Sequence, residues 1–182
     1  MHIDSNTGLL NDPHGNTRQL PSPNCDARPD DADIDLLVIH AISLPAGEFG
    51  GPWIDDLFCN QLDATAHTDF VEICGLTVSA HALIRRDGEI VQYVPFSQRA
   101  WHAGESNFQG RERCNDFSIG IELEGCDEQA FEPIQYQRLA ELAHALMHRS
   151  PNITRERITG HSDIAPRRKT DPAPHFDWAP LC

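Results

Sequence analysis

The sequence predicts an α/β (α+β) fold, a single domain whose central mixed β-sheet is flanked by helices. Three observations predict it. Leu36 to Ile42 is a nearly unbroken apolar run, the pattern of a strand buried on both faces. Arg86-Asp87-Gly88 stands between two runs rich in β-branched residues, a hairpin signal that requires an antiparallel pair. Pro133 opens a stretch in which Leu139, Leu142, Ala143 and Leu146 recur at helical spacing, the clearest helix in the chain.

Taken in order, residues 1 to 33 carry Pro13, Pro21, Pro23 and Pro29 among Asn, Asp and Ser, a composition that favours irregular, surface-wrapping backbone. Residues 1–33 therefore read as an N-terminal irregular arm and 34–182 as the domain. The strand at 36–42 breaks its apolar run at His40, where a polar residue asks for a reason. Gly47, Gly50, Gly51 and Pro52 form a loop. Trp53 to Leu62 reads as a short helix, since Trp53, Ile54, Leu57, Phe58 and Leu62 cluster on one side. Leu76–Ile84 and Glu89–Val94 are the two antiparallel strands. Residues 97–116 are too polar and glycine-rich for a core element, and a loop of this length is more often functional than idle. Phe117 to Leu123 is the next strand, followed by the helix from Pro133. From Gly160 the tail returns to loop, because Pro166, Pro172, Pro174 and Pro180 interrupt regular structure.

Composition bounds the function. The chain has 182 residues, 40% hydrophobic and 23% charged, with 12 Gly and 13 Pro, which suits one globular domain and excludes disorder, collagen and coiled coil. Lys and Arg number 14 against 28 Asp and Glu, and a net charge of −14 disfavours tracking a phosphate backbone, so no nucleic acid is expected as partner. No apolar run approaches the roughly 20 residues of a membrane span, and Met1-His2-Ile3-Asp4 lacks a secretory signal; no membrane partner and a cytoplasmic location are expected. Cys25, Cys59, Cys74, Cys114, Cys126 and Cys182 include no CxxC pair, which argues against a zinc finger or ribbon. A chain of this length buries a core without staples, so reduced thiols are expected, with Cys59 and Cys74 packing as small apolar groups.

Three places combine metal-capable or titratable side chains with an awkward setting: His40 in the buried strand, Glu122 within Ser118-Ile119-Gly120-Ile121-Glu122-Leu123-Glu124, and the tail from Gly160-His161 to Lys169-Thr170-Asp171-Pro172. Each also has a plain structural account. A strand histidine is ordinarily a hydrogen-bonded core residue, a strand carboxylate ordinarily faces water, and a basic loop is ordinarily solvated. Spacing alone does not join them. The helical pair His144 and His148 stands at i and i+4 but lacks the intervening Glu of a zinc-protease motif.

Resemblance does join them. Leu37-Val38-Ile39-His40, Ile42-Ser43-Leu44-Pro45, Val78-Ser79-Ala80-His81, Arg99-Ala100-Trp101-His102-Ala103-Gly104, Gly110 through Ser118, Gly120 through Gly125, and Gly160-His161 with Lys169-Thr170-Asp171-Pro172 occur in the order found in one family. Between about Pro21 and Trp178 the chain resembles the AmpD branch of the N-acetylmuramoyl-L-alanine amidases, relatives of the peptidoglycan-recognition proteins. The resemblance implies their amidase fold, with 34–182 as the zinc amidase domain, and implies that His40, His161 and Asp171 hold one zinc ion with a fourth position left for water. Glu122 matches the family's general base and Lys169 the residue that stabilises the oxyanion.

Arg113 matches a residue that contacts the sugar-peptide, and Trp101 and His102 match a motif beside the cleft. The family commonly has Asn after the zinc-binding histidine; here that position is Ala41, which removes an amide expected to touch substrate. His81 is expected to stay in the core. The implied reaction is hydrolysis of the amide between the lactyl group of (1,6-anhydro)-N-acetylmuramic acid and the L-alanine of the stem peptide, in cytoplasmic peptidoglycan recycling, by a monomer acting on small muropeptides. The alternatives are a non-catalytic muropeptide-binding module and an amidase acting on intact N-acetylmuramic acid.

Overall fold

The computed structural model describes residues 1–13 and 15–181, so the expectation of a reduced thiol at Cys182 lies outside the described residues. Proline-rich composition predicts irregular backbone before residue 34, yet four short strands occur there: β1 (His2–Ile3), β2 (Leu10–Asn11), β3 (Thr17–Gln19) and β4 (Cys25–Asp26). Segments this short show no periodicity, and their partners, not their sequence, make them strands. β1 and β2 pair with each other, whereas β3 joins the edge of the main sheet.

β5 (Leu36–Ile42) occupies the predicted residues. The helix α1 (Trp53–Phe58) stops four residues short of Leu62 because Asn60 adopts φ 59° and two bonds close the end, from the Gln61 N–H to the Asp56 carbonyl and from the Asn60 N–H to the Leu57 carbonyl. The predicted hairpin forms as β6 (Ala82–Ile84) and β7 (Ile90–Gln92), paired antiparallel around the Asp87-Gly88 turn. Its first strand is shorter than predicted, since the Ser79 N–H bonds to the Trp101 carbonyl and the His81 N–H to the Gly120 carbonyl, both outside the hairpin. The long loop holds three two-residue strands, β8 (Arg99–Ala100), β9 (Asn107–Phe108) and β10 (Arg111–Glu112), before β11 (Ser118–Glu124).

α2 (Pro133–Arg149) is the long helix; Pro133 sits in its first turn and the Gln135 side-chain oxygen accepts the Glu132 N–H. After it come β12 (Ile158–Gly160) and a one-turn helix, α3 (His161–Ile164), where prolines further along predict only loop. Asp163 makes that turn by accepting the Gly160 N–H and the Thr159 hydroxyl.

The main sheet runs β12-β5-β11-β6-β7-β3 and is mixed: β5 lies parallel to both β12 and β11, while β6 and β7 are antiparallel. Alternation divides the two central strands. Leu37, Ile39, Ile119, Ile121 and Leu123 point into the core beneath Leu139, Leu142 and Leu146 of α2. On the opposite face, Leu36 and Val38 lead to His40, and Ser118 and Gly120 lead to Glu122. The helix thus covers one face, and the buried polar residues collect on the other. Among the described residues no helix is long and apolar enough to cross a membrane.

Candidate metal centre

His40 and Glu122 are register partners near the carboxyl ends of β5 and β11, where ligands of open α/β sheets gather. His161 arrives from the sheet edge, as the residue at which β12 passes into α3. Asp171 is brought back by the tail: its carbonyl accepts the Ser162 N–H, and Pro172 packs so closely on Gly160 that a Cβ there would lie 2.8 Å from the proline ring. Two residues of the tail are thereby tied to the start of α3.

The result is a convergence of three ligand atoms. His40 Nδ1 lies 2.9 Å from His161 Nδ1 and 3.3 Å from Asp171 Oδ2, which in turn is 3.1 Å from His161 Nδ1. Both imidazoles are buried and the carboxylate is half-buried. Burial pushes the His40 pKa down to about 4, with Asp171 opposing and His161 adding to the fall, so the ring is neutral. Burial resists ionisation of Asp171, but the contacts to His161 and His40 prevail and hold its carboxyl well below the usual range. His161 Nε2 lies 3.3 Å from the Ala103 carbonyl, which only accepts, and 3.5 Å from the Arg168 guanidinium, which only donates; the shorter contact places the proton on Nε2 and leaves Nδ1 with a lone pair.

Ligand atoms that face one another at this separation need a proton or a metal cation between them. A tetrahedral divalent ion with bonds of about 2.0–2.1 Å sets its ligand atoms roughly 3.3 Å apart, close to the spacing here. Two imidazoles and one carboxylate therefore fit a metal ion and leave a coordination position open.

Glu122 stands beside this group. Its Oε2 is buried with no hydrogen-bond partner among the described residues. Burial first, and the Asp171 charge second, raise its pKa well above the ordinary value, and Lys169 pulls it back. Lys169 is exposed and lines a cavity of about 370 Å³ together with Ala41, Ser43, Thr170 and Asp171.

Arg113 lies apart from that group, 73% exposed with its Nε 3.1 Å from Asp116, and lines a second cavity of about 510 Å³ that shares Arg168 with the first. Trp101 turns its indole N–H to Asp26 at 3.2 Å, which ties it into the fold. His102 lies beneath His40, its Nδ1 2.9 Å from His40 Nε2. His81 is fully buried, and the exposed His144 and His148 lie on α2, away from the group. The five described cysteines are unpaired.

Sequence alone does not mark Ser118, Asn115 or the Ala103 carbonyl as parts of this site. Ser118 left a signal: within a buried strand, Ser118, Gly120 and Glu122 alternate with Ile119, Ile121 and Leu123, which marks one face as polar and working.

Comparison with known proteins identifies the relatives of this fold. The family described as N-acetylmuramoyl-L-alanine amidase matches residues 30–174. The 1,6-anhydro-N-acetylmuramyl-L-alanine amidase of Escherichia coli strain K12 is 65% identical over 162 residues, covering 89% of this chain and 88% of that protein. A crystal structure of a selenomethionine AmpD derivative superposes with a TM-score of 0.93 at 60% identity, covering 100% of this chain and 97% of that one. An amidase from E. coli, solved with anhydro-N-acetylmuramic acid-L-Ala-D-gamma-Glu-L-Lys, has a TM-score of 0.60 at 34% identity, covering 85% of this chain and 59% of that one.

Proposed function

The chain belongs to the N-acetylmuramoyl-L-alanine amidase family, and from that premise we propose that it hydrolyses the amide joining the lactyl group of 1,6-anhydro-N-acetylmuramic acid to the L-alanine of the stem peptide, within peptidoglycan recycling. The observation that carries the reading is the meeting of His40 Nδ1, His161 Nδ1 and Asp171 Oδ2 at 2.9–3.3 Å, close to the spacing at which a tetrahedral divalent ion sets its ligands. One zinc ion held by these three residues is the proposed cofactor. Bound there, zinc supplies Lewis acidity for the scissile carbonyl and brings water's pKa towards neutrality.

Glu122 is the proposed base. Its unpartnered Oε2 takes a proton from the attacking water and later gives it to the departing alanine nitrogen, so that water and amide become a muramic carboxylate and a free peptide amine. A positive charge at the metal position acts on Glu122 in the same direction as Lys169, towards the ionised form a base requires. Lys169, exposed at the mouth of the cavity, supplies fixed positive charge where the carbonyl oxygen becomes negative.

Substrate contact is assigned to Arg113 and Ala41, one on each cavity. Trp101 and His102 shape that wall from behind, since their polar atoms face protein groups. Ala41 offers no amide, so discrimination between the anhydro and ordinary sugars rests on other contacts. The unpaired thiols suit a reducing compartment, which supports a cytoplasmic setting.

The test is competition between substrates. Equal amounts of anhydromuramyl and ordinary muramyl tripeptide are incubated with the protein, with and without chelator, and free tripeptide is followed by mass spectrometry. The proposal expects chelator-sensitive release from the anhydro sugar. Equal release from both sugars would leave the metal chemistry intact but remove the sugar assignment, and binding without release would reduce the protein to a muropeptide-binding module.

A further inference from the structure

We propose that His102 is a positioning residue for the metal centre: with Ser118 it forms a hydrogen-bond chain whose direction fixes which nitrogen of His40 faces the cation. The inference rests on the reading of His40, His161 and Asp171 as metal ligands.

The direction follows from the far end of the chain. The Cys114 backbone carbonyl only accepts, so the Ser118 hydroxyl, 2.5 Å away, donates to it. Its one proton spent, the Ser118 oxygen accepts from His102 Nε2 at 3.0 Å. A neutral imidazole protonated at Nε2 has only an acceptor at Nδ1, and His102 Nδ1 lies 2.9 Å from His40 Nε2. His40 therefore carries its proton on Nε2, and its Nδ1 is left bare towards His161 and Asp171. A backbone carbonyl thus sets a tautomer three hydrogen bonds away.

The supports of the chain are built for it. Asn115 Oδ1 accepts the backbone N–H groups of both His102 and Ala103, at 3.1 and 2.8 Å, and so holds the two residues as one brace. The second of these offers the carbonyl that fixes the tautomer of His161. One short segment therefore orients both metal-facing imidazoles, one by a side chain and the other by a backbone oxygen. Gly120 clears the space, because a Cβ at that position would fall inside contact distance of the His102 ring. With both ring nitrogens of His102 committed to protein groups, its contribution reaches the reaction through His40. Partners of this kind typically alter metal affinity by about 10- to 100-fold.

The experiment measures zinc dissociation by competition with a chromophoric chelator, and histidine tautomers by long-range ¹H–¹⁵N NMR of the metal-free protein, for the parent, H40A, H102N and S118A. The proposal expects His40 and His102 both protonated at Nε2 in the parent. H102N should weaken zinc by about 10- to 100-fold. S118A, a small change on a strand that serves should H102N fail to fold, should weaken zinc severalfold and give His102 a mixture of tautomers. A parent that takes up no zinc, or H40A that binds as the parent does, overturns the metal reading and this inference with it. Zinc uptake that depends on His40 but is unaltered in S118A and in folded H102N, or a parent with His40 protonated at Nδ1, overturns this inference alone.

Discussion

Glu122 stands opposite His40 across two parallel strands, in register and on the same face of the sheet. Alternation alone guarantees this: any residue paired with His40 on β11 shares its face, while Ile121 and Leu123 on either side must point into the core under α2. The fold thereby sets a proposed base beside a proposed ligand without any direct bond between them. The other proposed ligands come from farther along the chain, His161 on the turn after β12 and Asp171 on the tail beyond α3.

This relationship predicts separable effects. Glu122→Gln keeps the size of the side chain and removes its basicity, so kcat should fall by about 100- to 10,000-fold while zinc content is unchanged. Steady-state turnover of anhydromuramyl tripeptide, with zinc measured by atomic emission, checks it. Turnover at the parent's rate would reassign the base.

Removing Asp171 should act on the metal itself. Asp171→Ala leaves two neutral imidazoles, and zinc retained after dialysis should drop from one per chain to a small fraction of that. Stripping the parent with chelator should lower its melting temperature. Zinc at a thousandfold over its dissociation constant is worth about 4 kcal/mol, or roughly 10 °C for a domain of this length. Calorimetry of stripped and reloaded protein supplies the reading.

Gly160→Ala tests how Asp171 is delivered. A methyl group at 2.8 Å from the Pro172 ring must displace the segment that carries the carboxylate. Overpacking of this kind costs about 1–3 kcal/mol. Zinc affinity should weaken in the same variant, whereas Gly75→Ala, whose Cβ would meet open space, should leave affinity intact. Parallel chelator titrations compare the two.

Acid stability should be governed in part by His81, packed against the His102 ring. Burial, reinforced by Arg28, pushes its pKa down to about 3, while its Nδ1 accepts the Gly120 N–H. The unfolded chain protonates this histidine near pH 6.5 and the folded chain does not, so the unfolded state binds more protons between those values. The contribution to stability is therefore complete above about pH 6.5 and is lost as pH falls towards 3, at up to about 1.4 kcal/mol per unit. Urea unfolding of metal-free parent and His81→Asn across pH 4 to 7 should show a shallower pH dependence for the variant. Parallel curves would exclude His81 as the source.

Ala41 offers a gain of function. Restoring the amide with Ala41→Asn should add one hydrogen bond at the cavity that also holds Lys169 and Asp171, raising kcat/KM on the anhydro substrate by up to about tenfold. Kinetics on both sugars separate better catalysis from better discrimination.

Much of this architecture was legible in the sequence, and the gaps have physical causes. β5 and α2 could be read because apolar period and a first-turn proline are local properties, and the hairpin because Asp-Gly specifies its own turn. α1 ended early because Asn60 took a left-handed conformation, a residue-level choice that the apolar pattern continuing to Leu62 conceals. The proposed ligands His40, His161 and Asp171 emerged only through family resemblance, since nothing local links residues so far apart in the chain. The chain from Cys114 through Ser118 and His102 to His40 was invisible for a further reason: one of its members is a backbone carbonyl, which every residue possesses and no sequence marks.

The proposed chemistry depends on His40, His161 and Asp171 holding one zinc ion. Anomalous diffraction from crystals of the zinc-loaded protein, collected above and below the zinc absorption edge, tests it most directly. A single peak is expected, bonded to Nδ1 of His40, Nδ1 of His161 and Oδ2 of Asp171. A peak elsewhere, a bond through Nε2 of either histidine, or no peak in active crystals would contradict it.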